Sequence, residues 1–450
     1  MFASSKRIVL CSGARTPIGH LAKGLTKFLP EELLQIAIDG IVHKTNLPVD
    51  LVDGVISGWV GQGSHAPNIA RIAVLRSHLP EKAHAFTVQA NCVSSLESIS
   101  AAVRHILTGE GELYIAGGTE SMSNFPYTIR GDRSLKELRS INTLKENLAA
   151  IDTNPNISLI DCMEEGLNDP VKNINMAASA ELCAQAFNIS REEQDAYAVE
   201  TYKRALDAEN NGFYKDHIIP ITDERAGITD KDEYPYLREK LVQKPAMMAK
   251  APVLFDGPSF SIKQFYKLWG HLLKDKKYEE GKSKGTVTLF NSCARSDGAA
   301  VVIVTTYEKA KELKLEILGE IRSWAYVGQD PAYMGIGPLH ATQLALKRAQ
   351  IKFEQLDQIE IHEAFASTVL SVFKLGRKNH RMDWEKYWQE GRLNPHGGSI
   401  ALGHPLAASG TRVVLNLLYA LKKNKNAKLG LATACAGGGL GGAIIIEKIT

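Results

Sequence analysis

Two stretches of short apolar runs alternating with amphipathic segments, separated by a long polar interval, constrain this 450-residue chain more than any other feature. In the first stretch Arg7–Cys11, Val52–Ser57, Thr87–Ala90 and Glu112–Ala116 read as strands. Between them Glu31–His43, Asn68–His78 and Val93–Leu107 carry apolar residues at helical spacing. Residues 124–285 are polar and broken by Asp-Gly, Asn-Pro and Gly-Pro pairs. They contain one clear helix, which opens on the capping box Ser190-Arg191-Glu192-Glu193. The alternation then resumes, with strands at Thr286–Phe290, Ala299–Val304, Gln358–Ile361, Leu429–Ala434 and Ala443–Glu447. Its helices fall at Ala341–Gln350, Ala364–Leu375 and Ala407–Lys423.

This rhythm predicts an α/β protein of layered sheets. We divide it into an N-terminal half (1–123 with 286–317), an inserted loop-rich subdomain (124–285) and a C-terminal half (318–450). Two strand-to-helix junctions look alike, Thr87 to Cys92 and Gln358 to His362, each ending on a polar reactive residue. The likeness hints that the halves are related, although no residue-by-residue repeat accompanies it.

Composition narrows the functional classes. A hydrophobic share of 44% and a charged share of 23% are those of a globular chain. A net charge of +3 is too balanced for nucleic acid as the main partner. No apolar run reaches bilayer length. Six cysteines, at 11, 92, 162, 183, 293 and 435, are scattered without a CxxC pair. That spacing suggests free thiols in a reducing compartment, and neither a disulfide framework nor a metal is expected. Cytoplasm is the default expectation, with a cleaved organelle targeting segment left open.

Four segments carry chemistry. Cys92 precedes a helix whose N-terminal dipole and free N–H groups favour a thiolate and can receive an oxyanion. A buried structural cysteine is the alternative. His404 lies in Gly397-Gly398-Ser399-Ile400-Ala401-Leu402-Gly403-His404-Pro405, a bent loop that presents it as an acid/base. Cys435 opens a glycine run with a formal GxGxxG at 437, 439 and 442. The β-like segment behind it excludes a dinucleotide site and leaves a close-approach loop or a plain hairpin turn. His362 begins His362-Glu363-Ala364-Phe365-Ala366, which alone also fits a helix cap.

Together and in order, these segments resemble the thiolase family. Arg15-Thr16-Pro17-Ile18-Gly19, Gly117-Gly118-Thr119-Glu120-Ser121-Met122-Ser123, Asp297-Gly298-Ala299-Ala300 and Met334-Gly335-Ile336-Gly337-Pro338 extend the likeness nearly end to end. It implies a thiolase-like fold, with the insert binding coenzyme A. It implies Cys92 as nucleophile, His404 as its base, and Cys435 as the acid/base for the enolate and for incoming CoA. One oxyanion site falls to His404 with a group at position 362, the other to the backbone N–H of Cys92 and Gly437. Substrate contacts are implied at Met176, Cys293, Ala294, Met334 and Phe365. CoA is expected as co-substrate, with no tightly bound cofactor.

The His-Glu-Ala-Phe-Ala form resembles thiolase subunits of fatty-acid-oxidation trifunctional complexes, where most thiolases have asparagine in place of His362. That favours degradative 3-ketoacyl-CoA cleavage over biosynthetic acetoacetyl-CoA formation. A decarboxylative ketoacyl synthase pairs its cysteine with two histidines and does not need Cys435. A catalytically silent scaffold is the remaining alternative. A homodimer or tetramer is expected, with a hydratase/dehydrogenase partner subunit as an option.

Some features depart from the family. Met176-Ala177-Ala178-Ser179-Ala180-Glu181 stands where Met-Gly-x-x-Ala-Glu is usual, and Cys293 replaces a serine that commonly touches pantetheine. Residues 257–284 look inserted. There Phe265, Tyr266, Leu268, Trp269, Leu272 and Leu273 share a helical face opposite Lys263, Lys267 and Lys274. Such a helix either packs inward or makes a peripheral membrane or partner contact through 260–277.

Overall fold

The computed structural model describes residues 6–449 apart from 133, 136, 137, 139, 141–153, 226, 258, 259 and 275. In chain order the first half comprises β1 (Ile8–Arg15), α1 (Pro30–Thr45), β2 (Gly54–Gly58), α2 (Ile69–Arg76), β3 (His84–Val88), α3 (Ser94–Thr108) and β4 (Leu113–Ser121). Among the described residues the polar interval holds four helices of eight residues or more: α4 (Met176–Phe187), α5 (Arg191–Asn210), α6 (Tyr234–Gln243) and α7 (Ile262–Trp269). Then follow β5 (Ser296–Thr306), β6 (Ile317–Gly328), α8 (Gly337–Ala349), β7 (Gln358–Ile361), α9 (Ala366–His380), α10 (Ser409–Lys423), β8 (Leu429–Ala436) and β9 (Leu440–Glu447).

The strand path runs β3-β2-β4-β5-β1-β6-β9-β8-β7. It mirrors about the antiparallel pair β1/β6, joined through Val9–Glu320 and Leu10–Gly319. Outward from that pair each half places its first strand, then its fifth, fourth and second. β3 completes the first half as third strand, and a single parallel bridge, Ile359–Leu393, stands in for it in the second. The fifth strand is antiparallel to both neighbours in each half, and the outer strands are parallel. The halves are therefore related in topology. However, the repeat pairs the Cys92 junction, after a third strand, with the loop after Leu393 that carries His404. It does not pair Cys92 with His362, which follows a second strand.

Alternation within the strands explains the layers. In β1, Ile8 and Leu10 enter one apolar cluster while Val9 and Cys11 enter another, so both faces are covered. The inner cluster surrounds α3 and α10, which touch each other and strands of both halves; α1 and α2 cover the outer face of the first half, and α8 that of the second. Leu96, Ile99, Val103 and Ile106 of α3 are sealed, as are Val413, Leu417 and Leu421 of α10. Truncating such a leucine to alanine costs about 2–5 kcal/mol.

Three expectations change. The polar interval is far more helical than one capped segment, because α4 is built largely from Ala, Ser and Cys, which blur an apolar stripe. The capping box itself is present: Ser190 Oγ accepts from Glu193 N at 3.1 Å, and Ser190 N donates to Glu193 Oε2 at 2.6 Å. Thr286–Phe290 makes only an isolated bridge, Val253–Thr288. Its backbone donors turn to side chains instead: Thr286 N and Val287 N to Glu181 Oε2, and Thr288 N to Asn291 Oδ1.

The third point concerns α7, where the sequence leaves inward packing and a peripheral contact through 260–277 both open. Phe265, Trp269 and Leu273 are buried with Ile174, Phe255, Val287 and Met334. Trp269 Nε1 donates to Asn173 O at 3.1 Å, and Tyr266 OH donates to Gln185 Oε1 at 2.9 Å. Only Leu268 of the proposed face is left largely exposed. The helix packs inward, and its apolar face is not free for a membrane.

Candidate active site

Cys92 sits in a 3-10 turn, Asn91–Val93, between β3 and α3. Asn91 takes the left-handed conformation at φ 51°, which asparagine tolerates, and its Nδ2 donates to Gly437 O at 2.8 Å. That bond ties the nucleophile turn to the hairpin between β8 and β9. The hairpin turns at Gly438 and Gly439, both at positive φ, so the glycine run is a tight turn and a close approach at once. Cys435 is the penultimate residue of β8 and is buried.

His404 arrives from the second half. Gly403 before it adopts φ 99°, and a Cβ there would stand 2.3 Å from Ser296 Oγ. Glu363 holds the rest of the loop. Its buried carboxylate accepts from Tyr197 OH at 2.8 Å, Thr201 Oγ1 at 3.0 Å, Asn394 Nδ2 at 2.8 Å and Ile400 N at 3.2 Å. Burial pushes its carboxyl pKa above the ordinary carboxylate range despite those donors.

The two segments meet at His404 Nε2, 3.2 Å from Cys92 Sγ. His404 Nδ1 lies 2.6 Å from Ser409 Oγ, and that hydroxyl donates to Pro405 O at 3.2 Å. Ser409 therefore accepts from Nδ1–H, which leaves the Nε2 lone pair facing the thiol. The His362 ring lies beside it, with centroids 4.1 Å apart and planes tilted by 43°, and its Nδ1 lies 2.7 Å from Ser399 Oγ. Arg412 donates to the same hydroxyl. With that acceptor role filled, the Ser399 proton is free for His362 Nδ1, and Nε2–H of His362 then points at the site as an unmatched donor.

The charge state follows from burial. Burial pushes the Cys92 thiol up to about 12, opposed by the backbone N–H groups of Gly437 and of Cys92 itself. The same burial, with Arg412 nearby, pulls His404 down to about 3. Burial, then the Cys92 and Cys293 thiols, hold Cys435 well above an ordinary thiol. The resting pair is thus a neutral thiol beside a neutral imidazole. A preformed thiolate, expected from the helix end, loses to desolvation, and the proton moves only as a bond to carbon forms.

A cavity of about 440 Å³ opens on this pair. It is lined by Cys92, His404, Cys435 and Gly437, and also by Met176, Cys293, Ala294, Met334 and Phe365. His362 lies just behind the wall, 1% exposed. An ion pair at 2.5 Å between Arg295 and Glu164 sits on the rim. The residues missed from sequence are supports: Ser399, Ser409, Asn91, Asn394 and Arg412. Ser399 stood inside the glycine loop already singled out, whereas Arg412 and Ser409 gave no signal within their helix.

Comparisons with known proteins bear on the family and the fold. Residues 8–249 match the family described as Thiolase, N-terminal domain, and residues 315–448 match Thiolase, C-terminal domain. The chain is 33% identical over 447 residues to a probable acetyl-CoA acetyltransferase of Escherichia coli (strain K12), covering 98% of this chain and 99% of that protein. It is 34% identical over 447 residues to a probable acetyl-CoA acyltransferase of Staphylococcus aureus (strain COL), with 98% and 99% covered. Among solved structures, human mitochondrial 3-ketoacyl-CoA thiolase superposes with a TM-score of 0.82 at 30% identity, covering 99% of each chain. A second structure of that human enzyme, in complex with CoA, gives a TM-score of 0.81 at 30% identity, with 99% of this chain and 98% of that one covered.

Proposed function

The chain belongs to the thiolase family and is an acyltransferase, and from that premise we propose that it cleaves 3-ketoacyl-CoA with free CoA, in the degradative direction. One observation carries the reading: the 3.2 Å approach of His404 Nε2 to Cys92 Sγ at the wall of a cavity that also holds the second thiol.

In the proposed cycle His404 Nε2 takes the Cys92 proton as the sulfur attacks the 3-keto carbonyl. The bond to the α-carbon breaks, leaving an acyl-thioester on Cys92 and the enolate of acetyl-CoA. Cys435 protonates that enolate carbon, becoming a thiolate. It then deprotonates incoming CoA, whose sulfur displaces Cys92 and releases the shortened acyl-CoA, while His404 returns its proton to the departing Cys92 sulfur. Dividing the displacement through a thioester is the gain of nucleophilic catalysis. We assign the tetrahedral oxyanions to two donor sets, the N–H groups of Cys92 and Gly437, and His362 with His404. CoA acts as co-substrate, with Met176, Cys293, Ala294, Met334 and Phe365 as its surroundings and those of the acyl chain.

The names of several relatives favour a second reading, synthesis of acetoacetyl-CoA from acetyl-CoA by the same steps reversed. The assay that separates the readings offers acetoacetyl-CoA and a long-chain 3-ketoacyl-CoA, each with CoA, and follows loss of the 3-keto thioester absorbance. Faster cleavage of the long chain supports the degradative reading; exclusive use of acetoacetyl-CoA supports the other. No loss with either substrate refutes both. We further propose a homodimer, with a hydratase/dehydrogenase partner subunit as the assembly to test by co-purification.

A further inference from the structure

We infer that Cys92, His362 and His404 form a binding site for a soft divalent transition metal, Zn2+ above all, and that this metal and acyl-CoA exclude each other. The sulfur and the two imidazole nitrogens all lie within 4.8 Å of one another. They come from three separate places, the turn before α3, the end of β7 and the loop before α10, so no local spacing of cysteines and histidines announces the site. One thiolate and two imidazoles are the donor types zinc favours in tetrahedral sites. With Zn–S near about 2.3 Å and Zn–N near about 2.0–2.1 Å, the three donors must draw together by roughly an ångström at the widest pair. Cys92 and His404 are already 3.2 Å apart.

A second, independent observation points into the same space. His362 Nε2 is buried without a hydrogen-bond partner, on a side chain 1% exposed. The far nitrogen of each ring is held by a serine, Ser399 for His362 and Ser409 for His404. For His404 that outer bond is already the Nδ1–H donation by which metal-ligating histidines fix ring and tautomer, and His362 reaches the same arrangement by a change of tautomer. On binding, the Cys92 proton leaves to solvent and sulfur bonds the metal. The proton of His362 shifts from Nε2 to Nδ1 and is donated to Ser399, whose hydroxyl rotates to accept it. The fourth position faces the cavity and takes a water. The thiol and the base lone pair are then both occupied, so metal blocks acylation. That competition rests on the thiolase reading; the metal site does not.

The test uses the full-length protein after chelator treatment, titrated with Co2+ and then Zn2+. One Co2+ per chain should develop thiolate charge-transfer and tetrahedral ligand-field absorption, displaced by Zn2+. Zn2+ should shield Cys92 from iodoacetamide, read by peptide mapping, with shielding reversed by EDTA. His362→Asn should weaken Zn2+ binding by more than about 10-fold, since loss of even an outer partner costs 10–100-fold. Absence of the charge-transfer band in the wild-type protein, or alkylation of Cys92 unchanged by Zn2+, overturns the site whatever the variant does. A folded His362→Asn that binds Zn2+ as tightly as wild type overturns it as well. These readouts follow metal and not turnover, so a protein that binds Zn2+ but cleaves no 3-ketoacyl-CoA contradicts only the thiolase reading.

Discussion

The rings of His362 and His404 lie with centroids 4.1 Å apart and planes tilted by 43°, each held at Nδ1 by its own serine, so that both Nε2 atoms turn toward Cys92. Neither ring can carry charge easily in that position. Burial lowers His362 well below an ordinary histidine, with His404 and Arg412 adding to the effect, and burial with Arg412 does the same to His404.

A pH dependence follows. In the proposed cycle the base works in its neutral form, and His404 stays neutral until pH falls toward about 3. The profile of kcat/KM should therefore lack the acidic limb near about 6.5 that an ordinary histidine gives. Steady-state rates between pH 5 and 8, with stability checked at each pH, should vary little on the acid side. A limb centred near 6.5 would contradict the assigned environment.

Cys435 should be needed for carbon–carbon cleavage but not for acylation of Cys92 from a simple acyl-CoA. Cys435→Ser should lose on the order of 10²–10⁴-fold in thiolysis, the usual range for removing a general acid/base. Near-normal thiolysis in that variant rules out the role.

Much of this site was legible because its chemistry is concentrated in short segments. Cys92, His404 and Cys435 each sat beside glycine or at a strand end, and folding brings all three to one cavity. The support around them was not legible. Glu363 reaches Tyr197 and Thr201 in the insert, and Arg412 reaches Ser399 from inside an apolar helix; such contacts are set by tertiary packing between segments far apart in sequence or on separate elements. The same limit explains the long strand β6. Buried, half-buried and exposed residues follow one another along it in no regular order and gave no clean alternation, yet it is the strand on which the two halves join. It also explains why the Cys92 and His362 junctions looked equivalent when topology pairs Cys92 with the His404 loop.

Glu363 should matter for both stability and turnover. Glu363→Ala leaves donors from Tyr197, Thr201, Asn394 and Ile400 without their acceptor. Each orphaned buried group costs about 1–3 kcal/mol, so a loss of about 3 kcal/mol or more is expected. Urea unfolding measures it. At temperatures where the variant stays folded, kcat should still fall, because the same loop carries His404. An unchanged midpoint would show that the network is not what holds the loop.

Trp269→Ala should destabilise by about 3–5 kcal/mol, the range for emptying a buried aromatic site. Chemical denaturation of the variant reads it directly. A cost under about 1 kcal/mol, or salt-sensitive sedimentation of the wild-type protein with anionic liposomes, would mean that α7 is not packed as described.

The most direct test is to ask which sulfur takes the acyl group. The protein is exposed briefly to acyl-CoA, quenched in acid and mapped by peptide mass. Among six cysteines, all of them free, the account predicts one adduct, on Cys92, and none when His404 is replaced by Asn. An acyl group on Cys435 or Cys293 with Cys92 unmodified would contradict it.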